Sequence, residues 1–324
     1  MKNHDRNILA ATACIAATLS FSCMARAASS SVASDPSANL SDVTFQEPLL
    51  SPASAPISSM DAAATQNSST ADQSSSSEET DADEEADLAK KTLNPVADLI
   101  SVPFQENVDF GIGPNNATRS LLNIQPVIPF HLNSDWNLIS RTILPVVYLG
   151  SPAPGIPSTG GLGDTQQSFF FSPVKPTDGW IWGVGPIFFL PTATDPLLGP
   201  TKWGAGPTAV VLQQQHGWTY GALANQIWSF AGNNQQRSVN QTYLQPFVSY
   251  TFPTYTSLTF NTESTYDWTA RQWTIPFNLM VSQILKIGKQ PVSIQLGGRY
   301  YAAGPFGGPT WGMRLTFTFL FPNH

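Results

Sequence analysis

The chain has 324 residues, with 15 Lys and Arg against 22 Asp and Glu, a formal charge of −7 and 2 cysteines. Both cysteines, Cys14 and Cys23, fall in a segment with the marks of an export signal, so the mature chain is expected to hold no disulfide, zinc–thiolate centre or cysteine nucleophile. The scattered bases leave no nucleic-acid footprint, and no run of about twenty apolar residues follows that segment, which excludes a helical membrane protein.

In chain order, Lys2 and Arg6 supply a basic start, Ile8 to Phe21 an apolar stretch, and Ala25-Arg26-Ala27 a cleavage signal, so residues 1–27 read as a signal peptide. Ser20-Phe21-Ser22 ahead of Cys23 lacks the Leu of a lipobox, which argues against lipidation. Residues 28–92 follow as an acidic, Ser/Ala-rich leader. Between Ala28 and Leu88 there are twelve acidic residues and no Lys or Arg, and large apolar side chains are too few to offset the entropy of ordering. Disorder is expected there, relieved by a short helix where the acids of 77–87 precede Lys90-Lys91. From Ala89 onward the balance reverses to twelve bases and nine acids.

Residues 93–324 read as all-β, with strands marked off by connections of alternating length. Tight turns are predicted at Asn133-Ser134-Asp135, Lys175 to Gly179, Gln215-His216-Gly217, Pro253-Thr254-Tyr255 and Gly288-Lys289-Gln290. Longer connections rich in Gly, Pro and Asn fall at Gly113–Arg119, Gly150–Asp164, Pro191–Lys202, Ala231–Ser238, Asp267–Arg271 and Ala302–Pro309. Five turns and six loops predict twelve strands. An even number with short turns on one side is the pattern of a transmembrane antiparallel up-and-down β-barrel in the bacterial outer membrane, both termini periplasmic.

Alternation is clearest near the end of the chain. Met313, Leu315, Phe317 and Phe319 share one face and Arg314, Thr316 and Thr318 the other; Trp273, Ile275, Phe277, Leu279 and Val281 likewise oppose Gln272, Thr274, Asn278 and Ser282. A membrane barrel turns the apolar face to lipid, whereas a secreted sandwich or lectin turns it inward, and alternation alone fits both. The nine tryptophans favour the membrane, since all lie from Trp136 onward and most fall near predicted strand ends, where interfacial girdles belong.

Several stretches also carry a family resemblance: LLNIQPVIPF (Leu121 to Phe130), DWNLISRTILPVVY (Asp135 to Tyr148), WGVGPIFFLPTATD (Trp182 to Asp195), ALANQIWSFAG (Ala222 to Gly232) and IGKQPVSIQLGGRYY (Ile287 to Tyr301). The chain from about Leu93 to Pro322 resembles the outer-membrane proteins grouped as the MetA-pathway phenol-degradation family, often labelled transporters. The resemblance implies an outer-membrane barrel and a link to the uptake of aromatic compounds. The ending Asn323-His324 departs from the terminal Phe of many such barrels and leaves Phe321 as the aromatic read by the barrel-assembly machinery.

Enzymatic chemistry finds little support. His131 and Ser134 are similar to the His and Ser of outer-membrane lipases but sit at a predicted turn, and no metal, nucleotide or acyl-transfer motif occurs, so neither cofactor nor metal is expected. What remains is the lumen. The predicted inward faces carry Asn123, Gln125, Gln241, Gln245, Glu263, Gln295, Arg299 and Arg314, joined by Arg141, although Ile139 and Ile143 share its face. A hairpin centred between Phe306 and Gly307 places Arg299 beside Arg314 and calls for a counter-charge, for which Glu263 is the candidate. These residues form either a polar constriction that orients a small solute or solvated lumen residues braced by salt bridges. The expected partners are membrane lipid, a small-molecule solute and the assembly machinery, with no nucleic acid. Two functions are therefore in view: a channel for small solutes, aromatic ones among them, or a non-conducting structural or adhesive barrel that binds a partner through its external loops or leader.

Overall fold

The computed structural model describes residues 87–322 apart from Asn233. The signal peptide, most of the acidic leader and Asn323-His324 lie outside the described residues.

Fifteen strand segments form one antiparallel sheet: β1 (Ile100–Ile112), β2 (Ala117–Ile124), β3 (Val127–His131), β4 (Trp136–Leu149), β5 (Thr159–Leu162), β6 (Thr165–Pro173), β7 (Trp180–Leu190), β8 (Lys202–Gln215), β9 (Trp218–Gly232), β10 (Asn240–Thr251), β11 (Thr256–Thr262), β12 (Ser264–Asp267), β13 (Gln272–Ile287), β14 (Gln290–Ala303) and β15 (Trp311–Phe321). Three pairs are halves of a single strand. The breaks fall at Gln125-Pro126, Gly163-Asp164 and Glu263, and each stands opposite a proline on the next strand. Gln125 N donates to Pro103 O at 2.9 Å, Gly163 N to Pro145 O at 2.9 Å and Glu263 N to Pro276 O at 3.4 Å. A proline accepts from its neighbour but returns no N–H, so the ladder lapses there without the strand changing course. Counted through these lapses the sheet has twelve strands.

The sheet closes. β1 pairs with β15 from Ile100↔Phe321 to Phe110↔Trp311, and β9 pairs with β10 from Asn240↔Trp228 to Tyr250↔Trp218. Every strand therefore has two neighbours, which leaves no unpaired edge, as a wall in hydrocarbon requires. The predicted connections fall between strands, with a few terminal residues drawn into the neighbouring strands, except that Gly150–Asp164 is predicted too long: its second half contains β5, a strand segment paired with β4. The tight turn at His216-Gly217 has φ of 50° and 80°, the left-handed pair that matches a hairpin's twist and that a Gly accepts at no steric cost.

Side-chain directions settle which face is wet. Val184, Phe188, Val211, Leu258, Phe260, Phe277, Leu279, Leu296, Met313 and Leu315 lie exposed along the outside, while Asn107, Ser168, Thr208, Asn261, Asn278, Arg314 and Thr316 are buried inside. Aromatic clusters band both ends. Trp136 with Trp182, Trp180 with Tyr220 and Trp218 with Tyr250 mark the turn end, and Phe110 with Trp311 and Tyr266 with Trp268 and Trp273 mark the loop end. Leu279, 56 % exposed on β13, gives a direct check. In phospholipid vesicles Leu279→Arg is expected to lower unfolding free energy in urea by about 2–4 kcal/mol, as for a cation near the bilayer midplane. On a water-facing surface the same change stays within about 0.5 kcal/mol.

Inside the turn end lies a segment that the charge boundary at residue 92 divides. Residues 87–92, assigned to the leader, are helical, and residues 93–99 continue from them to the start of β1 without strand structure. Leu88 and Ala89 are buried with Ala97, Leu99, Ile284 and Leu320, while Val96 packs among Ile139, Phe170, Val210, Leu212 and Leu223. Gln214 Nε2 donates to Lys90 O at 2.9 Å, and His131 Nε2 lies 3.0 Å from Asp98 Oδ2. These contacts reach from β13 and β15 to β4, β6, β8 and β9, so residues 87–99 cross the turn-side mouth as a stopper.

Candidate functional site

Above the stopper lies a cavity of about 430 Å³. Its wall carries Arg141 from β4, Gln241 and Gln245 from β10, Glu263 at the break between β11 and β12, Gln295 from β14 and Arg314 from β15, six of the seven residues put forward from sequence as solute-binding. Asn123 and Gln125 line it too. Arg299 does not: it lies behind the cavity wall, with its guanidinium turned to Asn107 and Glu263.

The charge cluster is built on strand register. Arg314 stands opposite Gly297 and Arg299 opposite Gly312, so the hairpin is centred between Pro305 and Phe306, the register is shifted by two residues from the predicted pairing, and the arginines are diagonal neighbours rather than side by side. Neither facing glycine has space for a side chain: a Cβ at Gly312 would meet Asp109 Oδ1 at 2.7 Å and one at Gly297 the Met280 side chain at 2.5 Å. Glu263 supplies the predicted counter-charge: Arg314 Nη1 donates to its Oε1 and Nη2 to its Oε2, each at 2.7 Å, and Arg299 Nη2 lies 3.5 Å from Oε2. Such a two-pronged fork is the strongest geometry open to the pair.

Asn107, which sequence reasoning missed, completes it. Its Oδ1 accepts from Arg299 Nη1 and from Arg314 Nε, both at 2.7 Å, and its residue is 1 % exposed. A neighbouring group extends the bracing toward the loop end: Asp109 accepts from Arg119 Nη2 at 2.8 Å and from Tyr301 Oη at 2.9 Å, and Arg299 stacks 5.5 Å from the Tyr301 ring centre. Period two through Gln105, Asn107 and Asp109 on the first strand was the available signal. The cluster thus braces the seam between β1, β14 and β15, and of its guanidiniums Arg314 alone reaches the cavity.

The larger cavity meets the stopper on another side of the wall. A second cavity of about 170 Å³ sits against residues 91–99, and the linings of the two have Thr92, Leu93, Pro95, Gln125, Arg141 and Gln245 in common. Arg141 therefore faces both cavities beside the stopper. Its apolar neighbours on β4 no longer count against an inward aim: Ile139 packs on Val96 of the stopper, and Ile143 lines the larger cavity.

The lipase-like pair does not assemble. His131 turns to Asp98, and among the described residues no hydrogen bond joins it to Ser134. Among the described residues no cluster of three or more potential metal ligands occurs.

Known structures bear on the fold. An outer membrane channel from Pseudomonas putida F1 superposes with a TM-score of 0.54 at 16 % identity, covering 69 % of this chain and 94 % of the channel. The chain shares that barrel fold. A porin, NanC (TM-score 0.42, 10 % identity, 69 % of this chain and 100 % of the porin), and outer membrane phospholipase A from Escherichia coli (0.42, 12 %, 72 % and 97 %) are more distant and decide nothing further. No family model matches the sequence, and no curated protein matches it.

Proposed function

We propose that the protein is a narrow outer-membrane channel that passes small solutes through a polar lumen, with both termini periplasmic. The observation that carries this is a closed barrel, apolar outside, around a cavity of about 430 Å³ whose wall sets Gln and Asn side chains among hydroxyl and apolar ones. Amides bond hydroxyl, carbonyl and carboxylate groups without holding them as tightly as paired charges, which suits a path that must also release its cargo. Membership of the MetA-pathway phenol-degradation family, and an aromatic solute with it, rests on the sequence resemblance; Phe170, Tyr243 and Phe247 in the cavity wall are compatible with it. Delivery through the assembly machinery by way of Phe321 belongs to the same reading.

Liposome swelling tests it. Vesicles containing the purified chain are expected to swell in small solutes of roughly the cavity's volume and not in disaccharides. The second reading, a non-conducting structural or adhesive barrel, draws on the stopper that fills the turn-side mouth. It predicts swelling no faster than that of empty vesicles with every solute.

A further inference from the structure

We infer that Arg141 is the anchor of a carboxylate-binding site, which makes small organic carboxylates the cargo of the channel proposed above. The inference deepens that reading and rests on it for transport, but not for binding.

Arg141 differs from the other lumen cations in its partners. Arg314 is neutralised by a two-pronged bond to Glu263, and Arg299 is shared between Glu263 and Asn107. Arg141 has no carboxylate partner among the described residues: its Nη2 donates to the neutral Oε1 of Gln125 at 2.9 Å. A guanidinium has five N–H donors, so most of its capacity is left for a planar anion that can take two of them at once, which is the geometry of a carboxylate. Of the cations lining the two cavities, Lys91 is paired with Asp87 at 2.8 Å and Arg314 with Glu263, so Arg141 is the one with no carboxylate within ion-pair distance among the described residues.

The rest of the pocket describes the molecule attached to that carboxylate. The side chains of Gln166, Asn225 and Gln241 line the larger cavity without a hydrogen-bond partner among the described residues, and the half-buried Ile143, Tyr243 and Phe247 supply apolar surface in the same wall. A volume of about 430 Å³ holds one small molecule and not a chain of sugars. An acid whose body is a ring or a short hydroxylated chain satisfies the amides, the apolar surface and the guanidinium together. Bulk and polarity alone would admit neutral molecules equally well. Arg141, with spare N–H donors and no carboxylate in direct contact among the described residues, is what tells an acid from its amide.

Equilibrium binding to the detergent-solubilised full chain, read by calorimetry, tests this without requiring conduction. The probes are benzoate, its neutral isostere benzamide, and gluconate as a hydroxylated acid. Binding of at least one acid is expected, with benzamide at least about tenfold weaker than benzoate and Arg141→Gln at least about tenfold weaker for either acid, while Arg141→Lys keeps part of the affinity. Which acid binds tells a ring from a hydroxylated chain. Benzoate and benzamide binding alike, acids binding Arg141→Gln as they bind the parent chain, or neither acid binding overturns the proposal. The comparison of probes on the unaltered chain needs no variant to fold. Failure of the channel reading shows separately, as vesicles that do not swell in any solute while the acids still bind.

Discussion

A chain in which Val96 is replaced by Glu is expected to conduct at least about twofold more than the parent in planar bilayers, because the turn-side mouth is crossed by an insert that this charge would expel. Val96 is 5 % exposed, and its partners Ile139, Phe170, Val210, Leu212 and Leu223 all project inward from the wall. A carboxylate placed there must be desolvated without a partner, at a cost of several kcal/mol, whereas outside the mouth it is hydrated freely. Besides its apolar contacts, the ties of the segment holding Val96 to the wall among the described residues include the bond from Gln214 to Lys90 O and that between His131 and Asp98. Deletion of residues 87–97 is expected to raise conductance at least as much, with the heat-stable migration of the folded barrel retained. Unchanged conductance in both chains would show that the stopper does not limit flow.

Glu263→Gln is expected to be the most destabilising single substitution in the lumen. It keeps the side chain's shape while removing the charge that accepts from Arg314 through two bonds of 2.7 Å and faces Arg299 at 3.5 Å. Two guanidiniums are then left against Asn107 with no anion between them, and breaking one side of a buried ion pair costs about 3–5 kcal/mol. Urea unfolding in lipid vesicles reads the loss. The double variant Glu263→Gln with Arg314→Gln is expected to recover part of it, since the uncompensated charge goes with its partner. If the single and double variants unfold alike, the fork is not what braces the seam.

Much of the architecture could be read from the residues, because a wall between lipid and water imposes period two and because short turns differ in composition from long loops. Met313 to Thr318 and Trp273 to Ser282 face as their alternation requires. The first strand closes on the last, and Glu263 meets the two arginines for which it was named. The misses have physical causes. The two-residue shift in the last hairpin comes from loop geometry between Ala303 and Trp311, which composition does not fix. The assignment of Arg299 to the cavity followed from its face, but a face does not say whether a long side chain reaches the centre or folds against the wall. The stopper escaped notice because charge, the signal that bounded the leader, is blind to what residues 87–99 bury. Its trace was in the strands. Ile139, Phe170, Leu212 and Leu223 are large and apolar on the wet face toward the turn end, and only an apolar insert explains them.

The seam between Ile100 and Phe321 joins the two ends of the described sheet. Its partners are separated by nearly the whole length of the barrel region, so among the described strand pairings this one has the greatest sequence separation and the highest loop-closure cost. Until it forms, two strands present unsatisfied amides that hydrocarbon cannot accommodate. A chain stopped short of Trp311 therefore has no partially inserted resting state, and its fate is degradation or aggregation outside the bilayer.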